Sequence, residues 1–193
     1  MAEPSLSDAE LIARVLVRDD RHAFSELVRR HQSAVRTTLR RLTSGNHALA
    51  DDLAQETFML AYRNLASFRQ EAKFSTWLYR IATNAWLADA RKRKEELLGD
   101  RDADVADDDS ADQGEDAHGG ADAERAASLS MDTSRAMAVL SDAERAAIVQ
   151  CYHNDLSHEE AAQVLNCPVG TVKTHILRAK QKLKTRLAAW ARD

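Results

Sequence analysis

The feature that most restricts what this chain can become is a stretch that cannot build a core. From Leu98 to about Ser128 the residues are mainly Asp, Ala, Gly and Glu, with no aromatic side chain and scarcely a branched aliphatic one. Such a segment buries too little apolar surface to offset its ordering entropy. It predicts a disordered linker over 97–133 and two folding units, 1–96 and 134–193. Charge follows the same division. Residues 1–94 carry 16 Lys and Arg against 11 Asp and Glu, residues 95–134 carry 2 against 14, and residues 135–193 carry 9 against 6. The net −4 of the whole chain therefore conceals two mildly basic blocks around an acidic spacer, the asymmetry of modules that meet a polyanion. Random-coil scaling gives the spacer an end-to-end distance of roughly 30 Å, which self-repulsion of its Asp run would extend, toward the roughly 35–70 Å that separates sites one to two DNA turns apart. Its acidity is expected to compete with DNA phosphates for the basic faces.

Outside the spacer the apolar residues recur at helical spacing, and the whole chain has only two prolines and six glycines. The expectation is all-α, two small helical domains. Three Ser-x-x-Glu capping boxes mark helix starts, Ser7 with Glu10, Ser141 with Glu144 and Ser157 with Glu160. Helices are expected from Ser7, then through the stripe Phe24, Leu27, Val28, Val35, Leu39 and Leu42, then from about Ala48 to Leu65, then from Phe74 to the run Arg91 to Lys94. On the third, Asp52, Gln55, Glu56, Met59 and Arg63 share a polar stripe that is either solvated or a docking face. No apolar run approaches the ~20 residues that span a bilayer, and no signal segment opens the chain, so a soluble, cytoplasmic protein without membrane insertion is expected.

The second unit carries the sharpest motif. Glu159 to Leu165, the break Asn166-Cys167-Pro168 and then Val169 to Leu183 read as a helix-turn-helix. Val172, Ile176, Ala179 and Leu183 fall on one face, which leaves Lys173, Thr174, Leu177, Arg178 and Gln181 opposite. Arg and Lys can pair with guanine acceptors or phosphates, Thr can donate or accept, and Leu can touch a thymine methyl. The plainer alternative is a basic surface helix packed on a helical hairpin.

In the first unit lie eight of the ten aromatic residues, six of them between Tyr62 and Trp86. Lys73, Arg80 and the tract Arg91 to Lys94 interleave with Phe68, Phe74, Trp77, Tyr79 and Trp86. Rings beside cations suit single-stranded nucleic acid, because unstacked bases regain ~1–3 kcal/mol each by stacking. Individually, Phe24, Phe58, Trp77 and Trp86 read as core; the cluster with its charge favours DNA.

Three ordered segments carry a resemblance. Ala50 to Phe58 (ADDLAQETF), Ser67-Phe68-Arg69 with Lys73 to Asn84 (KFSTWLYRIATN), and Pro168 to His175 (PVGTVKTH) resemble RNA polymerase sigma factors of the extracytoplasmic-function (ECF) class of the sigma-70 family. The match covers nearly everything but the linker. The resemblance implies that the first domain is sigma region 2, docking on the clamp helices of core polymerase's largest subunit through Asp51, Asp52, Gln55, Glu56, Met59 and Tyr62. It implies that the segment from Phe68 to Asn84 traps a flipped base of the minus-ten element. Phe68, Arg69, Lys73, Trp77, Tyr79, Arg80 and Asn84 are then minus-ten residues, with Arg91 and Arg93 beyond them. The second domain would be region 4, which contacts the polymerase flap and reads the minus-thirty-five element through Thr171, Lys173, Thr174, His175, Leu177 and Arg178. Promoter-specific initiation in an envelope or other stress response is implied, with promoter DNA, core RNA polymerase and an anti-sigma factor as partners. Two departures stand out: Gln70 where the family often has Gly, and His175 where Arg is frequent.

Other readings remain at this level. A helix-turn-helix operator-binding regulator acting alone predicts a stable dimer, and a helical adaptor predicts no DNA affinity. Cys151, His153, His158 and Cys167 could be grouped as metal ligands, but His158 lies in a capping box and Cys167 in the helix-turn-helix break, and zinc modules pair their ligands more closely. The two cysteines read better as small buried apolar groups. With neither a Gly-rich phosphate loop nor a nucleophile–base–acid set in sight, neither an enzyme nor a cofactor is expected.

Overall fold

The computed structural model describes residues 6–99 and 135–190; the spacer, except its first three residues, lies outside them. All regular structure among the described residues is helical. The first unit comprises α1 (Asp8–Arg18), α2 (Arg21–Leu42), α3 (His47–Arg63), a 3-10 turn (Leu65–Ser67) and α4 (Phe74–Gly99). The second comprises α5 (Asp142–Ile148), a π-helical turn (Val149–His153), α6 (His158–Leu165) and α7 (Val169–Trp190).

Local chemistry sets these boundaries. All three capping boxes form, at Ser7, Ser141 and Ser157. Asp19 ends α1 in the left-handed region, and Asp20 at once caps α2 by accepting from the amides of His22 and Ala23. Asn46 caps α3 by accepting from Leu49 N. One boundary differs from expectation. α4 continues to Gly99, so residues 97–99, assigned above to the linker, are helical; the basic tract lies within this helix and not at its end. Ion pairs Arg93–Asp89 (2.8 Å) and Lys92–Glu96 (3.8 Å) lie along the turns that precede residues 97–99.

α2 is the spine of the first unit, packed by α1, α3 and α4. Leu11 and Ile12 of α1, Leu27, Val35, Leu39 and Leu42 of α2, Leu53 of α3 and Leu78 and Trp86 of α4 fill its interior. In the second unit Ala147, Ala161, Ala162, Val172 and Ile176 form a small cluster flanked by both half-buried cysteines. The two units are not separate bodies. Met137, Leu140, Ala146, Val149 and Ala179 join the first unit's core, and α6 lies against α4. Sequence patterning predicted two tethered domains, and their direct packing was not visible in it.

Candidate nucleic-acid interface

Three surfaces answer to the sequence-predicted residues. On α3 the polar stripe faces solvent: Asp52, Gln55, Glu56, Met59 and Tyr62 are all exposed, with Met59 at 54%. Asp51 departs from it, half-buried and ion-paired to Arg36 of α2 at 3.4 Å. Tyr62 donates its hydroxyl proton to Asp19 at 2.7 Å, a bond that raises its phenol pKa, and its ring meets Phe24 edge-on. It thereby ties α3 to the end of α1, where Leu16 and Val17 are also exposed.

The second surface is a cleft of about 390 Å³ lined by Phe68, Arg69, Glu71, Thr76, Trp77 and Arg80, with Gln163 and Val164 of α6 on its far side. The aromatic residues that shape it pack on one another. Phe68 lies 5.5 Å from Phe74 and 5.4 Å from Trp77, and Phe74 stacks on Trp77 at 5.6 Å. Phe74 and Trp86 are core, whereas Phe24, Phe58, Phe68 and Trp77 are half-buried. The aromatic set is therefore divided between a buried floor and partly open rings. Asn84 is exposed one turn beyond Arg80. Tyr79 is half-buried, its phenol pKa raised by burial, and it does not line the cleft. Arg91 and Arg93 stand exposed further along α4, the former bonded to Leu87 O and the latter paired with Asp89. In the loop before α4, Gln70 adopts φ 58°, the left-handed conformation that glycine takes without strain.

The third surface is the outer face of α7. Val172, Ile176 and Ala179 are buried, while Lys173, Thr174, Leu177 and Arg178 are exposed and Thr171 and His175 half-buried. Helical phase alone had put Val172, Ile176 and Ala179 inside and Lys173, Thr174, Leu177 and Arg178 outside, whereas Leu183, expected inside with them, is half-buried. Thr174 donates its hydroxyl proton to Gly170 O at 2.9 Å, which leaves its oxygen as an acceptor toward the outside. A side chain added at Gly170 would meet nothing within 4 Å, so the first turn of α7 is open to whatever approaches it.

Thr76, Gln163 and Val164 in the cleft were read in the sequence only as members of their segments and not as site residues, as was the buried Thr83, and the buried Thr38 and Gln150 were not singled out. The available signal was polar residues inside apolar stripes: Thr38 beside Leu39, and Gln150 between Val149 and Cys151. Cys151 and Cys167 are free thiols whose pKa values burial raises. Among the described residues no helix is long and apolar enough to cross a membrane, and no group of three or more His, Cys, Asp or Glu could hold a metal ion.

Comparison with known proteins agrees with this layout. The family model for Sigma-70 region 2 matches residues 27–96, and that for Sigma-70, region 4 matches residues 130–183. The ECF RNA polymerase sigma factor SigW of Bacillus subtilis is 36% identical over 172 residues, covering 87% of this chain and 90% of that protein. The ECF RNA polymerase sigma-E factor of Haemophilus influenzae is 35% identical over 195 residues, covering 97% and 98%. Among solved structures, the sigma factor RpoE bound to the anti-sigma factor NepR from Bartonella quintana superposes with a TM-score of 0.65 at 26% identity, covering 86% of this chain and 96% of that one. CnrH in complex with the cytosolic domain of CnrY gives 0.66 at 25%, covering 94% and 97%. Two region models in the right order, relatives matched over nearly their full length and a shared helical architecture lead to one conclusion: this chain belongs to the sigma-70 family, as an ECF RNA polymerase sigma factor, a non-catalytic subunit of promoter-directed transcription initiation.

Proposed function

We propose the following division of labour. Residues 1–96 act as region 2: the α3 stripe Asp52, Gln55, Glu56, Met59 and Tyr62 docks on the clamp helices of core polymerase, and the cleft from Phe68 to Arg80, continued by Asn84, captures an unstacked base of the minus-ten strand. Asp51 supports this face through Arg36. Residues 134–193 act as region 4, with Lys173, Thr174, His175, Leu177 and Arg178 in the major groove of the minus-thirty-five element and Thr171 at its edge. Residues 97–133 tether the two. An anti-sigma protein holds the factor inactive until a stress signal releases it, by analogy with the neighbours solved with NepR and CnrY.

The observation that carries this reading is the sidedness of α7: a stripe buried to 6% exposure or less backs a continuous exposed stripe of cationic, hydroxyl and apolar side chains, the chemistry that base edges and phosphates require. The test combines co-elution with core polymerase and run-off transcription on genomic fragments. Wild-type protein should co-elute and give discrete start sites. Asp52→Lys with Glu56→Lys should abolish both while leaving helix content unchanged, since loss of several interface contacts costs ~2 kcal/mol or more. Undiminished co-elution of that variant would refute the docking face. A dimer that binds DNA without any contribution from core would instead identify an operator-binding regulator.

A further inference from the structure

Four threonines among the described residues are buried, and three of them have partners for their hydroxyls. Thr38 donates to Ala34 O at 2.9 Å, Thr57 donates to Leu53 O at 2.7 Å, and Thr83 accepts from Gln150 Nε2 at 2.8 Å. Thr76 is the exception. It is 3% exposed, its Oγ1 is buried, and that oxygen has no hydrogen-bond partner. The cause is local. A threonine inside a helix can satisfy its hydroxyl on the carbonyl four residues back, but α4 begins at Phe74, so the fourth residue before Thr76 is Ala72, outside the helix. The hydroxyl therefore lacks the partner that Thr38 and Thr57 find within their own helices.

A buried hydroxyl without a partner bears the full cost of leaving water, which a valine of the same shape would not. Its position gives the group a use. Thr76 lines the cleft together with Phe68, Arg69, Trp77 and Arg80. Ser44 Oγ is also unpartnered, but it belongs to the turn after α2 and does not line the cleft. Among the charged groups there, Arg69 and Arg80 can only donate and Glu71 can only accept, whereas the Thr76 hydroxyl does both. Phe68 and Trp77 are only half-buried. Rings with that freedom can part for an unstacked base and stack on it, and the base then carries its hydrogen-bonding edge into the depth of the cleft.

We propose that Thr76 is a specificity residue of this cleft, whose hydroxyl, unpartnered in the free chain, hydrogen-bonds to the edge of the captured nucleobase. The proposal rests on the strand-capture role assigned above and names the group that reads the base. A base that meets the hydroxyl removes a cost already present in the fold. One that fills the space without meeting it leaves that cost in place, and the difference is discrimination.

The test uses holoenzyme assembled from core polymerase and the full chain. Its ligands are single-stranded oligonucleotides carrying the minus-ten element of a promoter mapped by run-off, with each of the four bases in turn at every position. Wild type should prefer one base at the captured position. Thr76→Val, equal in shape, should lower that preference about tenfold and alter the other positions less than twofold, while Thr76→Ser, which keeps the hydroxyl, should retain it. The second readout is the melting temperature of the free chain. Because the hydroxyl has no partner within the fold, Thr76→Val should leave it unchanged or raise it, opposite to the loss expected where a threonine acts structurally. Wild-type preference at every position in Thr76→Val would overturn the role, and so would a lowered melting temperature, which would mean that the hydroxyl is paired within the fold. Wild-type holoenzyme that binds all four bases equally at every position would instead sink the strand-capture reading itself.

Discussion

Single residues divide the DNA-reading work by geometry. Arg178 and Lys173 are both exposed on α7, but an Arg that forks onto a guanine edge supplies ~1–3 kcal/mol of discrimination, whereas a Lys on phosphate supplies affinity that is nearly independent of sequence. Arg178→Ala should therefore flatten base preference at one upstream position, and Lys173→Ala should weaken all upstream sequences alike and reduce the salt slope by about one unit. Binding of promoter variants by the holoenzyme at two salt concentrations separates them; wild-type preference at every upstream position in Arg178→Ala would end the direct-readout role. Gln70 offers a different kind of test. A non-glycine residue in the left-handed region costs roughly 1–2 kcal/mol, which a glycine's larger unfolded-state entropy only partly cancels. Gln70→Gly should leave the melting temperature unchanged or raise it, whereas Gln70→Val, β-branched at positive φ, should lower it.

At the scale of elements, the second unit depends on ties between short helices. α5 is only seven residues long, too short to persist without tertiary contacts. Its box residue Glu144 is nearly buried, accepting from Ser141 N at 2.9 Å and from Lys182 Nζ of α7 at 2.8 Å. Burial opposes ionisation of that carboxyl, but the bonds from Lys182 and Ser141 outweigh it and hold the pKa below its ordinary 4.5. The carboxylate thus stabilises the fold above pH 4.5, and that contribution is lost as the pH falls through the lowered value. Lys182→Met should cost about 1–3 kcal/mol at neutral pH by leaving the carboxylate short of a partner. The deficit should shrink as the pH falls through that lowered value and Glu144 takes up its proton; denaturant titrations carried from pH 7 progressively into acid check both, and a deficit that grows in acid would contradict the assignment.

For the whole molecule, the interface between units carries its own pH response. His153, in the π-turn, has its imidazole pKa lowered below 6.5 by burial and by Arg41 of α2 across the seam, while Asp155 opposes the shift. Well above pH 6.5 the ring is neutral whether the two units are packed together or apart, and their packing is unaffected. As the pH falls below 6.5, separated units, in which the ring is hydrated and free of Arg41, take up the proton first, so the packing weakens. Scattering at pH 7.5 and 5.5 should record a larger radius at the lower pH, and His153→Gln should reduce that difference. An equal expansion in His153→Gln would assign the effect to other groups.

How much of this was legible in the sequence follows from the range of the forces involved. The capping boxes at Ser7, Ser141 and Ser157 and the inward and outward faces of α3 and α7 were readable because each depends on residues three or four apart, a spacing set by helix geometry itself. The family followed from short motifs whose chemistry is equally local. The helix α4 runs on through Glu95, Glu96 and Leu97 to Gly99, into sequence whose composition reads as linker, because composition sets no sharp helix end there. The pairing of Thr83 with Gln150, 67 positions apart, and of Thr38 with Asn154, 116 apart, has no local signature beyond a polar residue in an apolar stripe. The sequence alone determined which faces each helix must bury and which residue types it offers to DNA and polymerase. Only the tertiary structure decided that one unit's buried face is completed by the other, because partners for buried polar groups are chosen by packing across the whole chain and not by spacing along it.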